Sequence, residues 1–202
     1  MHILAHYEPP TTPWLDVLYV DEHLLVLNKQ SGLLSVPGKH EDHKDCLQSR
    51  AIEKYPTATT IHRLDMETSG VIVMALTRTC HAHIGKQFER RKTKKFYTAR
   101  LMGLLEHDTG TIDLPLRCDW PNRPKQMVDH TEGRQAQTHF TVLERETNAT
   151  RVEFRPVTGR SHQLRVHALS MGHPILGDSL YGDAASRGAA SRLQLHAKTL
   201  VL

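Results

Sequence analysis

Gly70-Val-Ile-Val-Met-Ala-Leu76 is apolar at every position, while the residues leading into it are not. The run is far shorter than the roughly 20 apolar residues of a membrane helix, and it reads as a buried strand. Directly before it stands Ile61-His-Arg-Leu-Asp-Met-Glu-Thr-Ser69, a charged and hydroxyl-rich turn. Pressing such a turn against an apolar strand is costly unless its polar groups are satisfied or put to use. The junction is therefore the first candidate site, with Asp65 as its carboxylate. The plainer alternative is a turn capped by Asp65 and Ser69.

The rest of the chain supplies further short strands and few helices. Leu15–Val20 and Leu24–Asn28 flank Asp21-Glu-His23 and predict a hairpin. Glycines and Pro37 make Lys29–Gly38 a loop. Asp45 can cap a helix running to about Tyr55, and Thr77 or Thr79 a basic helix running to about Arg90. Strands are expected over Phe96–Met102, Gln135–Arg145, Thr150–Phe154 and Leu193–Leu202. A helix is expected over Ser161–Met171, stopped by Gly172. Many strands with few helices between them imply an α+β fold on a largely antiparallel, mixed sheet with flanking helices. Residues 1–13 carry three prolines and read as a mobile tail, ahead of a single domain over 14–202, a length that one domain or two small lobes around a shared core would fill.

Charge narrows the partner class. The net charge is +4, but Arg78–Lys95 holds seven cations against Glu89 alone, and Pro121–Arg134 adds Arg123, Lys125 and Arg134. Such clustering suits a phosphate backbone, although a solvated basic face looks the same. Three scattered cysteines argue against a disulfide framework or a zinc knuckle. Fifteen histidines form no HExxH and no ligand set at usual spacing, so no metal site is expected. With no secretory signal and no membrane span, a cytoplasmic monomer is expected.

Three more segments carry candidate chemistry. Val157-Thr-Gly-Arg-Ser-His-Gln-Leu-Arg-Val-His167 opens a helix with two arginines and two histidines, a setting that favours anions. Lys94-Lys-Phe-Tyr97 begins a strand. Cys118-Asp-Trp-Pro-Asn-Arg-Pro-Lys-Gln126 is a rigid basic loop able to stack on a base or grip a phosphate.

Taken together, these segments resemble the RluA family of pseudouridine synthases from about Trp14 to the end. The motifs are His62-Arg-Leu-Asp-Met-Glu-Thr-Ser-Gly70, Lys95-Phe-Tyr97, Gly159-Arg-Ser-His-Gln-Leu-Arg165 and Leu195-His-Ala197. The resemblance implies the fold of that family with a central catalytic cleft. Its catalytic residues fall on Asp65, Tyr97 and Arg165, with Arg165 as ion partner of Asp65. Arg63 would enter the RNA stack beside a flipped base. His62, Arg160, His162, Arg123, Lys125, Lys94 and Lys95 are the expected RNA contacts.

The basic loop, and the lack of an N-terminal S4-type domain, resemble the dual-specificity branch. That branch modifies structured RNA: the tRNA anticodon stem-loop and a 23S rRNA hairpin. Family members continue past Leu195-His-Ala197 through another strand, so the end at Leu202 implies either a shortened chain or an unpaired sheet edge. The isomerisation requires no cofactor. Two rivals remain at this level: a non-catalytic RNA-binding module, and a phosphotransferase suggested by the echo of a kinase HRD loop in His62–Asp65. The extra leucine and the missing phosphate loop count against the latter.

Overall fold

The computed structural model describes residues 7–202. The backbone forms two compact units: the chain up to Thr93 with Ala197–Leu202, and Lys94–His196.

The first unit begins with the expected hairpin, β1 (Val17–Val20) and β2 (Leu24–Lys29), paired antiparallel. The Asp21 carboxylate closes its turn by accepting the His23 and Leu24 amides at 2.8 and 2.7 Å. β2 alternates, with Leu25, Leu27 and Lys29 on the buried side. Next come α1 (Leu47–Lys54), β3 (Thr59–Thr60), β4 (Ser69–Ala75) and α2 (Arg78–Glu89). The apolar run of the sequence is β4, which pairs antiparallel with β2 and is buried along nearly its whole length. Gly70, its second residue, has φ +119°, with main-chain atoms of Ala197 where a Cβ would stand. Any side chain there would collide with backbone, which explains the glycine between turn and strand.

Both helix caps can be checked against the sequence reading. Thr77 caps α2, its side chain accepting from the Cys80 amide. α1 is capped by Cys46 and not by Asp45. The Asp45 carboxylate is engaged in a two-pronged pair with the buried Arg50 at 2.7 Å to each oxygen, and so is spent before it can cap.

The expected mobile tail falls into two parts. Residues 1–6 lie outside the described residues. Beyond them, the Tyr7 hydroxyl donates to Asp45 O and accepts from the Leu34 amide. Pro10 O and Thr12 O accept from Arg50 and Gln30. Those bonds attach residues 7–12 to the first unit.

The second unit contains β5 (Lys94–Met102), β6 (Thr109–Asp113), β7 (Leu116–Cys118), β8 (Gln126–Val128), β9 (Gln137–Arg145) and β10 (Ala149–Pro156). These are followed by α3 (Gln163–Ser170), α4 (Ala184–Gly188) and the start of β11 (Leu195–Val201), which from Ala197 onward belongs to the first unit. The strands order as β5-β10-β9-β6 in antiparallel pairs, with β7 and β8 forming a separate ribbon. Leu164 and Ala168 of α3 join Ala99, Leu101, Val152 and Phe154 in one apolar cluster. α3 is buried from Gln163 to Ala168, so its polar side chains lie inside the unit and not on a solvated face. The α+β class with antiparallel pairing is as the sequence led us to expect.

Candidate active site

In the first unit, the residues around Asp65 are held by their main chain. Ser35 bonds Leu64 twice, its hydroxyl donating to Leu64 O at 2.7 Å and accepting from Leu64 N at 3.1 Å. Met66 O accepts from Lys29 Nζ at 2.8 Å and Gly32 N at 2.9 Å. Glu67 O accepts from the Ser31 hydroxyl at 2.6 Å. Asp65 O itself accepts from Thr68 N, which closes the turn. Five bonds from one short loop thus fix the residues on both sides of a partly buried carboxylate.

Lys29 is the centre of that loop and is fully buried. Besides Met66 O, its ammonium donates to Gln30 O at 2.8 Å and Leu33 O at 2.6 Å. Three carbonyls match the three N–H donors of an ammonium. Burial pulls the Lys29 pKa down and the neighbouring Asp65 charge opposes the fall, leaving it at about 7. Lys29→Met leaves those carbonyls without their donor. It is expected to lower unfolding free energy by about 3 kcal/mol, checked by urea denaturation at unchanged m-value.

His62 points inward. Its ring stacks on Phe88, centroids 4.7 Å apart, and its Nε2 accepts from the Val73 amide at 3.1 Å. An accepting Nε2 requires the Nδ1–H tautomer, so His62 pins the turn to β4 and α2 as a neutral ring. Arg63, the next residue, is exposed.

In the second unit, the segment before α3 is anchored by Gln163. Its Oε1 accepts from the Thr158 hydroxyl and the Arg160 amide, and its Nε2 donates to Gln137 O and Thr138 Oγ1. All four amide hydrogen-bonding positions are used. His167 is also buried, with Nδ1 2.9 Å from Thr138 Oγ1 and Nε2 3.1 Å from Leu114 O. Desolvation pushes its pKa down, which keeps the ring neutral. His162, at the N-cap of α3, adopts left-handed φ +53°, a costly conformation for a residue with a Cβ.

Arg165 is 2% exposed and forms a two-pronged ion pair with Asp178, Nε–Oδ2 2.9 Å and Nη2–Oδ1 2.5 Å. Asp178 is itself fully buried, and its Oδ1 also accepts from the Leu180 and Tyr181 amides at 3.0 Å. Sequence reading did not pick Asp178. Its signal is one acidic residue inside Gly177-Asp-Ser-Leu-Tyr-Gly182. Tyr97 sits on β5 opposite Phe154 and packs against the apolar cluster.

The expected RNA contacts divide by what they touch. Lys95 Nζ donates to Thr158 O, and Arg160 Nε to Gln135 O, so both support loops of their own unit. Arg123 is exposed and lies over the Trp120 ring at 4.5 Å, in a loop that also carries Lys125. Lys94 is exposed at the start of β5. Among the described residues no group of three or more His, Cys, Asp or Glu side chains could hold a metal ion.

The sequence profile of the RNA pseudouridylate synthase family matches residues 23–170. This chain belongs to that family. It is 52% identical over 200 residues to the dual-specificity RNA pseudouridine synthase RluA of Salmonella typhi, covering 98% of this chain and 91% of that protein. The protein of the same name from Yersinia pestis is 54% identical over 187 residues, covering 92% of this chain and 91% of its own length. Among solved structures, human RNA pseudouridylate synthase domain containing 1 aligns over 96% of this chain and 80% of its own, with TM-score 0.80 and 30% identity. The fold is therefore that of the pseudouridine synthases, and the chain is an isomerase acting on RNA.

Proposed function

We propose that this synthase isomerises uridine to pseudouridine in RNA stem-loops, the tRNA anticodon stem-loop and a 23S rRNA hairpin, with Asp65 as the catalytic carboxylate. The observation that carries the proposal is the fixing of the Asp65 turn through main-chain atoms, which presents the Asp65 carboxylate from a rigid frame. Preorganisation of this kind keeps a reacting group aimed without cost at the moment of reaction.

The reaction breaks the bond between uracil N1 and ribose C1′, turns the base, and joins its C5 to C1′. The C5 proton is lost and N1 regains a proton, so nothing is oxidised or hydrolysed. Asp65 acts as the anion, either at the sugar or in proton removal. Tyr97 stacks on the uracil and offers its hydroxyl for proton transfer. The target base must first leave its stack, which costs a few kcal/mol and least in a loop. Arg63, exposed and planar, fills the space it leaves. Arg123, Lys125 and Lys94 meet phosphates. The synthase works as a monomer in the cytoplasm, and no described helix is long and apolar enough to cross a membrane.

Release of tritium from 5-tritiated uridine in stem-loop RNA tests the proposal, because a binding module without catalysis releases none. Mapping pseudouridine in total RNA from cells with and without the protein identifies the substrates. Tyr97→Phe keeps the aromatic face and is expected to slow single-turnover conversion by about 10²-fold. An unchanged rate would remove the hydroxyl from the chemistry.

A further inference from the structure

The loop Cys118–Gln126 closes on itself. Asp119 N donates to Lys125 O, Lys125 N to Asn122 O, and the Asn122 amide to the Asp119 carboxylate. Trp120 is 62% exposed at its tip, with the Arg123 guanidinium over its ring. Such a loop presents an aromatic face and a cation, but bonds within it do not set its position relative to α3.

The connection runs through Tyr181. The Gln126 amide, at the loop's exit into β8, donates to the Tyr181 hydroxyl at 2.7 Å. The same oxygen lies 2.7 Å from His162 Nδ1, with the two rings edge to face at 5.6 Å. A phenol has one proton to give. Accepting from Gln126, it can donate that proton to a neutral His162, so a single hydroxyl bonds the loop and the left-handed residue that opens α3. The Tyr181 ring lies under Arg165, whose Cζ is 5.2 Å from its centroid. Tyr181 is in turn fixed from behind, because its amide donates to the Asp178 carboxylate that pairs with Arg165.

We infer that Tyr181 is a positioning residue whose hydroxyl ties the RNA-facing loop Cys118–Gln126 to His162, so that the loop meets RNA in one fixed orientation to the N-terminal turn of α3. The inference rests on the proposed role of that loop in RNA binding.

Tyr181→Phe, Arg123→Ala and the double variant test it, in the full chain, by affinity for a substrate stem-loop and single-turnover rate at saturating RNA. Arg123→Ala is expected to weaken binding several-fold. Tyr181→Phe keeps the ring beneath Arg165 and cuts both hydrogen bonds. It is expected to weaken binding about ten-fold, with most of the loss in affinity and little in saturating rate. The double variant should bind no more weakly than Tyr181→Phe alone, because a loop out of position no longer places Arg123. A hydroxyl that merely stabilised the fold would lower the melting temperature and leave affinity and coupling unaltered.

Parental affinity in Tyr181→Phe, or losses that simply multiply in the double variant, would overturn the inference while parental turnover leaves the proposed function standing. Parental affinity in Arg123→Ala combined with Lys125→Ala would remove the loop from RNA binding and the inference with it. Absence of pseudouridine from every RNA treated with the parent would instead count against the proposed function.

Discussion

Asp65→Asn should bind stem-loop RNA near parental affinity and form essentially no pseudouridine, a loss of at least ~10³-fold in single-turnover rate. The substitution changes almost nothing but charge. Asn has the shape of Asp, and the bonds that locate the turn run to main-chain atoms of Leu64, Met66 and Glu67 and so survive it. What disappears is the anion that would act on the nucleotide. One side effect follows from Lys29, whose charge is favoured by the Asp65 carboxylate. Removing that carboxylate should pull the Lys29 pKa further down and lower stability slightly. Tritium release, a gel-shift titration and a melting curve on the same preparation separate these effects. Normal turnover in the variant would end the assignment of Asp65.

Asp178→Ala should have the largest effect on stability. It strands the Arg165 guanidinium, 2% exposed, without its two-pronged partner. It also removes the acceptor of two main-chain amides, Leu180 and Tyr181. Breaking one side of a buried ion pair costs about 3–5 kcal/mol, which for a chain of this size lowers the melting temperature by roughly 10 °C. Catalysis should fall as well, because Arg165 loses the carboxylate that orients it. Asp178→Asn retains an acceptor and should fall between parent and alanine. The matching control is Arg151→Ala, which breaks the exposed pair with Glu144, where solvent screening leaves little to lose. A melting temperature for Asp178→Ala equal to that control would show that the buried pair contributes nothing.

Asp178, the two-pronged partner of Arg165, is not a residue that the sequence marks out. Sequence separation does not encode such a pairing, since it depends on a loop folding back onto α3. Other features were legible because they are periodic or local. The β4 run, the β1–β2 hairpin and the Thr77 cap all follow from neighbouring residues. Lys29 could have been read and was not. Counting by twos from Leu25 and Leu27 places it on the buried side of β2, and a lysine at that parity needs acceptors.

β6 gave too little signal, since Thr-Gly-Thr-Ile-Asp has one inward apolar residue, Ile112. The ribbon of β7 and β8 has three residues in each strand, too few for alternation to show. Cys46 displaced Asp45 as cap because Arg50, five residues on, competes for the carboxylate. The contacts of His62 with Phe88 and Val73 join the turn to α2 and β4, elements that sequence spacing does not bring together.

The loop that grips the Asp65 turn is indifferent to what the gripped residues are. Ser35, Lys29, Gly32 and Ser31 reach only peptide carbonyls and one peptide amide. Replacing the Met66 side chain therefore leaves every one of those anchors in place, whereas replacing Ser35 or Lys29 loosens the turn without touching it. Mutational tolerance around the carboxylate should thus be inverted. Its immediate neighbour in sequence can vary, and the intolerant positions lie some thirty residues upstream.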